Sequence, residues 1–144
     1  MISFAGINQI DEIFEIEKKS FTRPWSINQI KNDLHLNSYS ENWVYLLKEK
    51  VIGYIFVYKI ENEFHLNNLA VHPDYLRRKI GKSLIQHIIT RAKKRKVNVI
   101  FLEVSINNFS AIRCYESLGF IKVGLRKNYY SKGDDAILFD LEIN

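Results

Sequence analysis

Cysteine is nearly missing from this chain: its 144 residues include one, Cys114. A single thiol cannot close an internal disulfide, so stability has to come from a buried core. No run approaches the ~18 apolar residues of a membrane-spanning helix, and the amino terminus lacks the basic-then-apolar pattern of a secretion signal. A cytoplasmic protein with no membrane partner is the expectation. No metal-ligand spacing is visible among His, Cys, Asp and Glu, so no metal is expected. Proline occurs only as Pro24 and Pro73, and each breaks an element. Acids are also short, 16 Asp and Glu against 21 Lys and Arg, for a net charge of +5. Such a surplus suits an anionic cofactor or a nucleic acid. Because Lys, Ile and Asn are abundant at ordinary surface positions throughout, it reads better as a compositional bias.

What is present is enough for one domain spanning 1–144, with 47% hydrophobic and 26% charged residues. Its centre is residues 63–92. Phe64, Leu66 and Ala70 alternate with Leu69 and Val71 as in a strand, which His72-Pro73 stops. Arg77, Arg78, Lys79 and Lys82 then surround Gly81, and Ile80, Leu84, Ile85, Ile88, Ile89 and Ala92 recur at helical spacing. A basic turn feeding a helix N-terminus favours polyphosphate, because orphan amides, the helix dipole and the cations all attract negative charge. The alternative is a solvated basic helix start.

Taken in order, residues 1–6 form a short strand and Asn8 to Lys19 a helix, with Ile10, Ile13, Phe14, Ile16 and Glu17 in helical order. Phe21 to Trp25 breaks it, and Ser26-Ile-Asn-Gln29 has the form of a capping box opening a second helix through about Leu36. Trp43 to Lys48, Val51 to Tyr58 and the central strand make an antiparallel meander. Lys93 to Lys96 reads as a solvated helix end. Val97 to Ser105 is an apolar run typical of a buried parallel strand after a crossover helix, and Glu103 interrupts it. An acid there loses hydration unless it is ion-paired or reaches a cleft. Asn107-Asn108 can cap a helix over Ser110 to Leu118, which Gly119 ends in the left-handed region. Ile121 to Gly124 is read as a strand and Asp134 to Leu141 as another, with Tyr129, Tyr130, Asp134 and Asp135 in a loop.

The pattern Asn108-x-x-Ala111-x-x-x-Tyr115-x-x-x-Gly119-Phe120, behind the Glu103 strand and the basic loop, resembles the GCN5-related N-acetyltransferases over nearly the whole chain. That resemblance implies an α/β fold of the mixed, α+β type: a mostly antiparallel central sheet of about seven strands with four helices, splayed between strands 4 and 5. It also implies acetyl-CoA as co-substrate, bound by the loop Leu76-Arg77-Arg78-Lys79-Ile80-Gly81 with Lys82. The family's loop usually reads Gln/Arg-x-x-Gly-x-Gly/Ala, so Leu76 and Lys79 depart from it. Lys79 compensates by charge on condition that its φ is negative. The resemblance further assigns Leu69, Ala70 and Val71 as amide donors at a strand bulge, Asn108 to the pantetheine arm and Tyr115 as general acid. Arg-x-x-Tyr129-Tyr130 with Asp135-Ala136 resembles the ending of the RimI-type branch, which acetylates the N-terminal α-amine of a small-subunit ribosomal protein. In that branch Pro24-Trp25-Ser26 borders the acceptor groove. From the residues alone Phe21, Pro24 and Trp25 read equally well as a packed helix connection. Nucleic acid would then be met only through the ribosome.

The chemistry needs a base, since an α-amine with a pKa of ~7.7–8.0 is largely protonated at neutral pH. Glu103 can take that proton directly or through water. Cys114 is the one candidate for a covalent route, but it lies ~100° around the helix from Tyr115 and no histidine context activates it. His72 reads as a strand-end residue, and His35, His65 and His87 as surface or partly buried. Two rivals remain: the same fold acting on a lysine side chain or small amine, and a basic acetyl-CoA or RNA binding module without turnover. Glu103 with Tyr115 speaks against the second.

Overall fold

The computed structural model describes residues 1–35 and 39–144, and the chain divides into two compact units, residues 1–59 with 67–88 and residues 60–66 with 89–144. Strand β4, Glu63–Val71, gives its first half to the second unit and its second half to the first.

In the first unit, β1 (Ile2–Phe4) pairs antiparallel with β2 (Ser40–Leu47), and β2 with β3 (Lys50–Ile60); β4 follows β3. The expected meander is present. Its β2–β3 turn is made by Lys48 and Glu49, both at positive φ, as a tight hairpin turn requires. Val51 to Val57 are all buried, so β3 reads as an unbroken core strand. Gly53 in its middle has no room for a side chain: a Cβ there would stand 3.3 Å from the Ala70 carbonyl oxygen and 3.2 Å from Ile80. Helix α1 (Ile10–Ser20), entered through a 3-10 turn at Ile7–Gln9, lays Ile13 and Ile16 into this core with Ile30, Val44, Tyr54 and Phe56. The capping box forms as its spacing demands: Gln29 N–H donates to Ser26 Oγ (3.1 Å) and Ser26 N–H to Gln29 Oε1 (2.7 Å). It opens α2 (Ile27–His35), whose expected end at Leu36 lies outside the described residues.

In the second unit the first half of β4 runs parallel to β5 (Val99–Ser105), from Glu63 opposite Val99 to His65 opposite Phe101. The ladder ends there, consistent with the expected splay, while on its other edge β5 is paired with β7 (Asp134–Glu142) from Val99 to Ser105. The order is β4-β5-β7-β6, with β6 spanning Ile121–Ser131. Helix α3 (Ile80–Lys94) makes the crossover that a parallel pair needs. It ends on Lys96 at φ 57°, with Val97 N–H donating to the Ala92 carbonyl (2.9 Å), so a lysine fills a position that usually goes to glycine. Helix α4 (Phe109–Ser117) is capped by Asn108 and followed by Gly119 at φ 97°.

One expectation fails in this unit. Tyr129, Tyr130, Asp134 and Asp135 do not form a loop: the tyrosines lie in β6 and the aspartates in β7, joined by a two-residue turn with Ser131 opposite Asp134 and Gly133 at φ 80°. The cause is a bulge. Between Arg126 and Ser131 the register shifts around Asn128 (φ 54°), whose N–H donates to Asp135 (2.7 Å) and whose side chain accepts from Gly133 N–H (2.7 Å). The extra residues break the period-two alternation by which a strand is recognised.

Among the described residues, seven strands and four helices match the fold that the sequence resemblance implies. Among the described residues no helix is long and apolar enough to cross a membrane.

Candidate active site

The first unit carries the basic turn after β4. After β4, His72 closes a 3-10 turn over Pro73–Tyr75, its Nδ1 accepting from Asp74 N–H at 3.1 Å. Leu76, Arg77, Arg78 and Lys79 are all exposed, and Arg78 lies over the Tyr75 ring at 5.1 Å. Lys79 has φ 61° and Arg77 φ 65°, which overturns the condition of a negative φ at Lys79. The conformation is set by the turn and not by the residue: the Lys79 carbonyl accepts both the Ser83 N–H (3.0 Å) and the Ser83 hydroxyl (2.9 Å) as the chain swings into α3. Lys79 thus stands in the left-handed region that favours glycine and still carries a cation. Ile80, Gly81 and Lys82 form the first helical turn, where amides have no partner within the helix. A side chain on Gly81 would meet only Val71 at 3.7 Å, so the glycine is there for bareness rather than for its dihedral angles. Exposed cations and a helix N-terminus form a donor set that fits the pyrophosphate of acetyl-CoA.

Leu69 and Val71, half-buried, flank the buried Ala70 at the end of β4. Trp25 answers to the packed-connection reading: its ring stands edge-on to Phe56 at 5.8 Å and its N–H donates to Glu17 (2.8 Å), while Pro24 and Ser26 beside it are exposed. Glu17 itself is 1% exposed and was not among the sites expected. Besides Trp25 it accepts from Asn68 Nδ2 (2.6 Å) and from the Tyr54 hydroxyl, whose pKa burial and this carboxylate push far up. The signal was in the sequence, an acid four residues after Ile13 on the apolar stripe of α1.

The second unit carries Glu103, Asn108 and Tyr115. Glu103 sits on β5 opposite Leu138, half-buried, with Oε1 3.5 Å from Arg126 Nη2 of β6. Both readings of Glu103 therefore have a basis: it has an ion-pair partner, but that partner is a surface residue, 54% exposed, at one long distance. Arg126 also lies over the Tyr129 ring at 5.3 Å, and Tyr129 meets Tyr130 edge-on at 5.0 Å. The Tyr130 phenol is pushed up to about 12, first by burial and then by the negative charge of Glu103, with Tyr129 and Asp134 adding to it. Asp134 accepts from the Ser105 hydroxyl and from Asn107 Nδ2 (3.1 Å), so acids do gather beside Tyr130.

Tyr115 is buried between the rings of Phe120 (5.7 Å) and Phe139 (6.3 Å). Burial, then Cys114 and Tyr130, raises its pKa, so the phenol holds its proton over the whole neutral range. Asn108 Oδ1 is already engaged, capping α4 at the Ala111 N–H (3.2 Å), which leaves its amide nitrogen for any further contact. Cys114 is half-buried on the same helix. The structure thus brings Glu103, Tyr115 and Tyr130 into one electrostatic neighbourhood, with Arg126 as the member that sequence reasoning did not single out, although it opens the Arg-x-x-Tyr-Tyr run. Among the described residues no three His, Cys, Asp or Glu side chains could hold a metal ion.

Known proteins share both the sequence and the architecture. The pattern of the Acetyltransferase (GNAT) family matches residues 10–120. The [ribosomal protein bS18]-alanine N-acetyltransferase of Escherichia coli (strain K12) is 32% identical over 99% of this chain and 97% of its own length. The protein of that name from Haemophilus influenzae is 33% identical over 92% and 88%. The crystal structure of the ribosomal-protein-S18-alanine N-acetyltransferase from Escherichia coli superposes with a TM-score of 0.93 at 30% identity, covering 100% of this chain and 94% of that one. These likenesses fix the affiliation: the chain belongs to the GNAT acetyltransferase family.

Proposed function

We propose that the protein transfers acetyl from acetyl-CoA to the α-amine of an N-terminal alanine on a small-subunit ribosomal protein, in the cytoplasm, with residues 1–144 acting as one catalytic domain. The observation that carries this reading is the pairing of full-length likeness to two ribosomal-protein alanine N-acetyltransferases with an acid, Glu103, whose ion-pair partner is an exposed arginine.

Acetyl-CoA supplies an activated acyl group and a thiolate leaving group; the rest falls to the chain. Arg77, Arg78, Lys79 and Lys82, with the amides of Ile80 and Gly81, hold the pyrophosphate. Asn108 reaches the pantetheine arm through its amide nitrogen. Glu103 accepts the proton of the incoming ammonium, directly or through a water, a step typically worth ~10²–10⁴ in rate. Amides of Leu69, Ala70 and Val71 donate to the oxygen on which charge develops. Tyr115, kept protonated by its burial, gives its proton to the departing sulfur. Pro24, Trp25 and Ser26 in the first unit, and Tyr129 and Tyr130 in the second, contact the acceptor. The acids Glu103 and Asp134 near Tyr130 suit a basic ribosomal peptide despite the net charge of +5.

The test is mass spectrometry on acceptors incubated with acetyl-CoA and purified protein: a basic peptide with a free N-terminal alanine, the same peptide blocked, a lysine peptide and a polyamine. Acetylation of the free N-terminus alone is expected. Modification of the lysine peptide or the polyamine in its place would move the acceptor assignment and leave the family intact.

A further inference from the structure

Glu17 is the buried ionisable group that the transfer scheme leaves unused. Its two oxygens are divided. Oε2 accepts from the Trp25 N–H, in the connection between α1 and α2, at 2.8 Å; Oε1 accepts from Asn68 Nδ2 of β4 at 2.6 Å and from the Tyr54 hydroxyl of β3. A carboxylate only accepts, so three uncharged donors from three elements are satisfied by one side chain. Mere packing does not ask for this, since apolar residues would fill the space without the cost of burying a charge. What packing cannot do is fix a main-chain N–H. The Trp25 ring is already held on Phe56, and the carboxylate adds a hold on the Trp25 backbone, and so on the exposed Pro24 and Ser26 to either side. Its other end holds Asn68, the residue before Leu69, Ala70 and Val71.

We infer that Glu17 is a positioning residue, which ties the acceptor-contacting connection at Trp25 to the strand whose amides serve the reacting carbonyl. This rests on the acetyl-transfer reading above, because only there do Pro24 to Ser26 meet a substrate. The role belongs to acceptor recognition and not to acetyl-CoA binding, since none of the three donors lies in the loop from Leu76 to Lys82.

The variants are Glu17→Met, of similar length without an acceptor oxygen, and Glu17→Gln. In the glutamine variant the carbonyl can still face the Trp25 N–H while the Asn68 amide turns over to accept from the new NH₂, so it should rescue. Steady-state kinetics with both substrates, with amide hydrogen exchange at Trp25, is the measurement. We expect Glu17→Met to raise the KM for the peptide about tenfold or more, as for loss of a hydrogen bond to a charged group. The KM for acetyl-CoA should stay within about twofold, Trp25 exchange should quicken, and Glu17→Gln should recover most of the peptide KM. Equal changes in both KM values, or a glutamine variant that fails as badly as methionine, would show a structural role and overturn the inference. If Glu17→Met does not fold, Glu17→Gln carries the test through Trp25 exchange: slow exchange with a normal peptide KM supports the hold, and fast exchange with a normal peptide KM removes its purpose. If the wild-type protein acetylates no N-terminal peptide, the acceptor reading falls by itself, and Trp25 exchange in the variants still reports whether Glu17 grips the loop.

Discussion

Two glutamates, one in each unit, show how the same side chain is turned to opposite ends. Glu17 is 1% exposed and saturated by three donors, whereas Glu103 is half-buried and has one cation 3.5 Å away on an exposed side chain. Saturation makes a carboxylate part of the framework, because moving it would strand several buried donors at once. A carboxylate with a single loose partner can exchange that partner for a substrate's ammonium at little cost, as a half-exposed ion pair is worth ~0–1 kcal/mol. The lesson is that burial alone does not mark a reactive acid; incomplete satisfaction in a place that a ligand can reach does.

The largest effect that would test this contrast is on rate. Glu103→Gln is expected to lower kcat by ~10²–10⁴ while shifting the unfolding free energy by no more than about 0.5 kcal/mol, read by initial rates and thermal denaturation. Near-normal turnover would break the comparison at its reactive end. Glu17→Ala probes the other end, and should cost about 2–4 kcal/mol of stability, since it leaves buried donors unpaired; a loss below about 0.5 kcal/mol would mean that the network holds nothing. The smallest effect lies at high pH. The Tyr130 phenol is raised from 10.0 to about 12, so the folded state prefers its neutral form, and the stability that this gives is full below pH 10 and lost as pH rises toward 12. Tyr130→Phe should therefore flatten the alkaline end of a stability-against-pH curve and remove one late step from the tyrosinate absorbance titration. Because Tyr130 is 37% exposed, the change should be slight.

Much of this was open to reading in the sequence, for reasons that differ by residue. Glu103 shows because an acid in an apolar strand contradicts its surroundings. The box at Ser26 and Gln29, the cap at Asn108 and the stop at Gly119 show because capping is local chemistry, decided within four residues. The β6–β7 hairpin did not show, since its bulge at Asn128 is held by Asp135 and Gly133, and a bulge erases the alternation that announces a strand. The Lys79 dihedral could not be read, and the negative φ set as a condition is not met, because residue type predicts φ only where the chain is free to choose, and there a turn bonded to Ser83 chooses for it. Glu17 was seen as one more residue of a helical pattern. Its partners Tyr54 and Asn68 lie 37 and 51 residues away, and no local rule connects them.

The left-handed lysine at position 79 also bears on how the enzyme would respond to selection. An L-residue in that conformation costs ~1–2 kcal/mol that glycine would not pay, so Lys79→Gly should make a more heat-resistant protein. On the proposed role of the turn, it would also strip a cation from the polyphosphate site and weaken capture of acetyl-CoA where that compound is scarce. A library of variants screened for survival of heating should therefore drift toward glycine at 79, and one screened for turnover at low acetyl-CoA should keep lysine; at this position the two screens pull the sequence apart.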